Sequence, residues 1–184
     1  MLKLRCRTTQ LAQYAQRFGD TDDERMFAIG RAARARGHVT RSEFLALCAW
    51  KTPRSKPRCA RNTPAAVRSA TRLALASPDE QIRVDALRAL DGVGLPTASA
   101  ILHFVHADPY PVLDVRALWS LGVDEPARAA HTHALWSAYV AACRELALRS
   151  GLSMRDVDRA LWQYSREMQP AVVSVPGDDL AACT

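Results

Sequence analysis

Gly92, Val93 and Gly94 set two glycines around one apolar residue, between an apolar run ending at Leu90 and the segment Pro96-Thr97-Ala98-Ser99-Ala100. Glycine takes positive φ at no steric cost, so the spacing predicts a tight turn between two helices with both glycines free to adopt it. The first amides of the second helix, those of Leu95 and Thr97, then lack carbonyl partners and sit at a positive dipole end. That is an anion site made from backbone, although an ordinary helix–turn–helix junction carries the same residues. Twenty residues beyond Gly94, Tyr110-Pro111-Val112-Leu113-Asp114-Val115-Arg116 puts a carboxylate after a Pro-containing loop and before a short helix, Val115 to Leu121. Asp114 can cap that helix, a role worth about 1 kcal/mol. Arg116 pairs with Asp114 or touches a polyanion, and Tyr110 is the aromatic closest to the acid loop and a candidate pocket wall. Between Glu43 and Asp79 there is no acidic residue, while Lys51, Arg54, Lys56, Arg58, Arg61, Arg68 and Arg72 all fall there. A one-sign stretch of this kind suits a phosphate backbone or is a solvated basic loop. Trp50-Lys51 precedes it: Trp50 offers a stacking surface or a core side chain, and Lys51 a helix-end charge or an amine in a pocket.

Other reactive side chains give less. The five cysteines, Cys6, Cys48, Cys59, Cys143 and Cys183, are odd in number and lack any C-x-x-C pair, which reads as free thiols rather than a disulfide framework or zinc ribbon. His103 with His106, and His131 with His133, have no third ligand at metal spacing, and no metal site is expected. Trp119, Trp136 and Trp162 fall on apolar helical faces and read as core.

The elements that must position these groups are helical. Thr21 to Glu24 and Thr40 to Glu43 are capping boxes, Gly37 closes the first of these helices, and Phe44, Leu47 and Trp50 line the second. Pro53 and Pro57 predict a basic loop over 52 to 62. Thr63-Pro64 opens a helix with Val67, Ala70 and Leu73 or Ala74 inward; Ser77 to Glu80 opens another with Ile82, Leu87 and Leu90 buried. Asp124 and Pro126 predict the start of a long helix through Tyr139 and Cys143 to Gly151, and Ser153 starts a last one through Leu161 and Tyr164. No segment alternates long enough for a sheet, so the fold class is all-α, a compact multi-helix body. Residues 1–170 make one unit of the 184, and residues 171–184 a poorly ordered tail. The longest apolar stretches fall short of a membrane span and the amino terminus has no apolar leader core, which points to a cytoplasmic protein. The formal charge of +6 favours polyanionic partners.

Leu90-Asp91-Gly92-Val93-Gly94-Leu95-Pro96-Thr97-Ala98, followed at this distance by Asp114, resembles the helix-hairpin-helix DNA glycosylase superfamily, which includes endonuclease III and the alkylpurine, adenine and 8-oxoguanine glycosylases. The resemblance places a helix-hairpin-helix at about 80–106 and the acid loop and helix at 108–122. It implies a monomeric base-excision repair enzyme that flips a damaged or unusual base out of double-stranded DNA and hydrolyses its N-glycosidic bond. Asp114 would be the catalytic carboxylate, stabilising an oxocarbenium-like sugar or activating a water. Gly92, Val93, Gly94, Leu95 and Thr97 would hold a phosphate, through a bound monovalent cation as in family members, with Lys51, Arg54, Lys56, Arg58 and Arg61 adding contacts that ignore sequence. Bifunctional members carry a lysine in the second hairpin helix where this chain has Pro96, so the resemblance implies a monofunctional enzyme without strand cleavage. No four-cysteine cluster follows the last helices, so no iron–sulfur cluster and no required cofactor is implied. The alternative is a non-catalytic helix-hairpin-helix DNA-binding module that keeps the clamp and has lost the chemistry.

Overall fold

The computed structural model describes residues 2–19, 21–125 and 131–170, and among these the regular structure is all helix, with no strand. The α-helices are α1 (Leu11–Arg17), α2 (Asp23–Arg36), α3 (Arg41–Lys51), α4 (Lys56–Cys59), α5 (Pro64–Ala76), α6 (Glu80–Arg88), α7 (Leu95–Val105), α8 (Val115–Ser120), α9 (His133–Ser150) and α10 (Met154–Met168). Short 3-10 turns cover Thr8–Gln10 and Pro53–Ser55. The expected tail beyond residue 170 and Pro126 lie outside the described residues.

Local signals explain most boundaries. Thr40 Oγ1 and Glu43 form the reciprocal capping box of α3, Thr63 caps α5 ahead of Pro64, Ser153 caps α10, and Gly37 and Gly151 close α2 and α9 at φ of 77° and 71°. Three boundaries differ from the sequence reading. The 52–62 loop is mostly a 3-10 turn followed by α4, because Pro57 sits in the first turn of α4, where its missing N–H costs nothing. The long helix begins at His133, capped by Thr132, rather than at Asp124. In α2 the cap position is Asp22, with no side-chain cap bond, instead of Thr21. One inward assignment also changes: Ile82 is exposed and Val84 is buried on that helix, whereas of the pair Leu73 or Ala74 it is Ala74 that turns inward.

Helix α7 is the axis of the molecule, buried from Thr97 to Val105 and packed against α2, α3 and α6. Its contact with α2 is close enough that a Cβ on Gly30 would lie 1.8 Å from the Phe104 carbonyl. Helix α10 organises the other side, packed on α1, α8 and α9. One hydrophobic cluster runs through both groups. Where they meet, the extended segment 109–114 is pinned from three helices. Tyr110 O receives His103 Nδ1–H at 2.6 Å, Val112 N–H donates to both oxygens of Asp158, Val112 O accepts the Tyr139 hydroxyl at 2.9 Å, and Leu113 N–H donates to Ser99 Oγ.

Candidate functional site

The segment 109–114 delivers Asp114 to the N-cap of α8, where its Oδ1 accepts the Arg116 amide at 2.9 Å. Its Oδ2 faces away from the helix and accepts Lys51 Nζ at 2.7 Å. Lys51 is the last residue of α3, so the helix dipole favours a cation there, and the side chain is only 12% exposed. The ion pair stands between two concavities, since Lys51 and Asp114 line both.

The first is a cavity of about 370 Å³ with aromatic walls, Phe18, Trp50 and Trp162, closed by Val112, Ala117, Arg155 and Asp158. Trp50 is held edge-on to Phe104, with ring centroids 4.7 Å apart, and the Arg155 guanidinium lies 5.1 Å over its ring. Arg155 is itself fixed by Asp23 at 2.7 and 3.1 Å, which Arg159 shares. Arg116 lies 5.1 Å over the ring of Trp162. Asp158, almost fully buried in the wall, has its carboxyl pushed up to about 8, chiefly by desolvation. Its neighbour His103 is pushed down to about 4, chiefly by burial. Both are therefore uncharged at pH 7, and their 3.2 Å approach is a contact between neutral groups rather than an ion pair.

The second concavity is a groove of about 700 Å³ under the turn between α6 and α7, lined by Gly92, Gly94, Pro96 and Thr97 on one side and Arg54, Ser55 and Arg58 on the other. Asn62 fastens this turn to α4. Its Nδ2 donates to the carbonyls of Cys59 and Asp91, and its Oδ1 accepts the Asp91 amide, each at 2.9 Å. Gly92 takes φ +80°, and a Cβ there would meet Cys59 Sγ at 2.8 Å and Cys59 N at 2.9 Å. Gly94, by contrast, is extended at φ −87°, ψ 175° and serves as the N-cap of α7, so only one of the two glycines uses positive φ. The close seating of α4 on Gly92 is what brings Arg54 and Arg58 beside the first turn of α7. The resemblance also implies a cation at this turn. Leu90 O accepts the Val93 amide and Asp91 O accepts the Asn62 Nδ2–H, and no step below depends on a cation.

The remaining expected site residues distribute as follows. Val93 and Leu95 turn into the core, and Thr97 is buried with its edge on the groove. Lys56 and Arg61 are exposed on the same segment, outside the groove lining. Tyr110 does not line the Asp114 cavity. It is 1% exposed, donates its hydroxyl to Glu80 of α6 at 2.6 Å, and lines a different cavity beside His106. Trp162, read from sequence as core, is instead a cavity wall, and Phe18, Arg155 and Asp158 join it without having been expected. Asp158 had a legible signal, a carboxyl on the apolar face that Val157 and Leu161 define. Phe18 and Arg155 had none, being far from the acid loop in sequence. His133 Nε2 lies 3.0 Å from Asp85, and among the described residues no three metal-ligating side chains converge. No helix of the described residues is long and apolar enough to cross a membrane.

Comparison with protein-family models, curated proteins and solved structures finds no match. The functional reading therefore rests on the geometry itself.

Proposed function

We propose that the protein is a DNA base-excision enzyme of the helix-hairpin-helix glycosylase type, hydrolysing the N-glycosidic bond of a base flipped out of a duplex. One observation carries the reading: Asp114 stands at the shared edge of an aromatic cavity and a basic, amide-lined groove. A flipped nucleotide has the same three parts. Its base requires a flat apolar slot with a few polar groups, its phosphates require cations and free amides, and its sugar lies between. In this pose the reacting C1′ falls beside Asp114, whose carboxylate stabilises the positive charge that develops as the base departs. Phe18, Trp50 and Trp162 supply stacking faces, and Arg54, Arg58 and the first turn of α7 supply the phosphate contacts. Asp158, uncharged in the wall, presents an O–H to the edge of the base.

The test has two parts. The affinity for a duplex carrying a stable abasic analogue should exceed that for the intact duplex, and both should fall steeply as salt rises. Base release from a panel of modified duplexes should fall at least about 100-fold in Asp114→Asn, with abasic-duplex affinity retained. Equal affinity for the two duplexes together with no release from the panel would favour the non-catalytic DNA-binding module.

A further inference from the structure

The chain carries three lysines, Lys3, Lys51 and Lys56, against 22 arginines. Arginine makes the better bidentate partner for a carboxylate, yet the cation buried against Asp114 is a lysine. What lysine offers and arginine does not is an amine that can lose its proton and act as a nucleophile. Its nitrogen lies 2.7 Å from Asp114 Oδ2, within proton-transfer distance of a carboxylate. Moreover, the pair stands where the cavity and the groove meet, the position the sugar occupies in the proposed function, on which this inference rests.

We propose that Lys51, delivered from the end of α3, is a catalytic amine that forms an imine with C1′ of the sugar and gives the protein a strand-cleaving activity at abasic sites. Loss of the base leaves a sugar whose open form is an aldehyde. The Lys51 ammonium passes a proton to Asp114, and Nζ attacks C1′ to give a carbinolamine. Asp114 returns the proton to the departing oxygen, which leaves as water, and a protonated imine remains. The imine acidifies the C2′ hydrogen. Its removal by the Asp114 carboxylate expels the 3′ phosphate through cleavage of the C3′–O bond, and hydrolysis of the imine restores the amine. No oxidant, reductant or cofactor enters the balance. This activity differs from the monofunctional chemistry that Pro96 implies, because the amine arrives from a different helix.

The experiment needs no knowledge of the lesion. The full chain is incubated with a duplex containing one natural abasic site in the presence of sodium borohydride, which reduces an imine to a stable secondary amine. One covalent protein–DNA species should form, with the adduct mapping to the peptide that contains Lys51. It should fall at least 50-fold in both Lys51→Ala and Lys51→Arg and persist in Lys3→Ala. Lys51→Arg keeps the positive charge beside Asp114 but cannot form the imine, so it separates loss of the nucleophile from loss of the charge. A charge or packing role for Lys51 would leave trapping intact in this variant. The inference is overturned if wild type prefers the abasic analogue but traps nothing, or if the adduct persists in Lys51→Arg; the proposed function then stands without it. No preference for the abasic analogue overturns both.

Discussion

Asp158 is held in its neutral form by burial, with the Val112 amide donating to its two oxygens. A carboxyl raised to about 8 in the folded state keeps a proton that the unfolded chain releases near pH 4. Its contribution to stability is complete below that value and is lost as pH rises toward about 8. His103, lowered to about 4, acts in the opposite direction: its contribution is complete above about 6.5 and is lost as pH falls toward 4. The two oppose each other in the acid range, whereas between about 6.5 and 8 only Asp158 of this pair still changes its contribution. Urea denaturation at a series of pH values should therefore show wild-type stability declining across that upper window and a flatter curve for Asp158→Asn, which still accepts the Val112 amide. Equal slopes would mean that the carboxyl is ionised in the folded state. At this scale the sequence was legible where chemistry and local geometry coincide. Asp114 announces itself as a carboxylate at a helix start, and it is the N-cap of α8. Trp162 and Tyr110 were exchanged in role, because which side of a helix or segment faces a cavity depends on partners distant in the chain.

The turn between α6 and α7 shows how far an element can be read. Glycine at 92 and 94 marks it correctly, yet the two residues are there for different reasons. Ala at position 92 would have to hold φ +80° and displace Cys59 of α4, a left-handed cost of about 1–2 kcal/mol plus about 1–3 kcal/mol of overpacking. Gly92→Ala should therefore lose about 3 kcal/mol in chemical denaturation. Gly94→Ala meets only Pro96 Cδ at 3.7 Å and needs no change of backbone, so its stability should change by less than about 1 kcal/mol. Its methyl group would nonetheless stand at the mouth of the amide-lined groove, and duplex affinity should drop while the fold persists. If Gly94→Ala instead unfolds the protein as readily as Gly92→Ala, the assignment of the two glycines is wrong. The pairing of α2 with α10 supports a further measurement. Asp23 binds Arg155 and Arg159 with its side chain 8% exposed, and removing one member of a buried ion pair strands the others. Asp23→Ala should cost about 3 kcal/mol and loosen Arg155 from Trp50, which tryptophan fluorescence would report. Neither link was visible in sequence, since 132 positions separate Asp23 from Arg155. Periodicity gave the helices but not which helix ends would meet.

Across the whole molecule the decisive quantity is where the charge lies rather than its formal total of +6. The acid-free stretch after Glu43 folds back through α4 onto the α6–α7 turn, so Arg54 and Arg58 line the groove, whereas Arg31 on another face is paired with Glu24. Counterion release makes this difference measurable, because each phosphate contact adds close to one to the slope of log K against log salt. The double variant Arg54→Ala/Arg58→Ala should reduce that slope for duplex DNA by about 2, with little change in stability, since both side chains are solvent-facing. Arg31→Ala, which alters the net charge on another face of the molecule, should leave the slope nearly unchanged. A uniform loss for all three arginines would mean that the duplex responds to total charge alone, and the groove would lose its claim on the backbone. A loss confined to Arg54 and Arg58 would fix the phosphates at the α6–α7 turn. Under the proposed function the sugar would then lie within reach of Asp114 and Lys51, with the aromatic cavity beside them to receive the base.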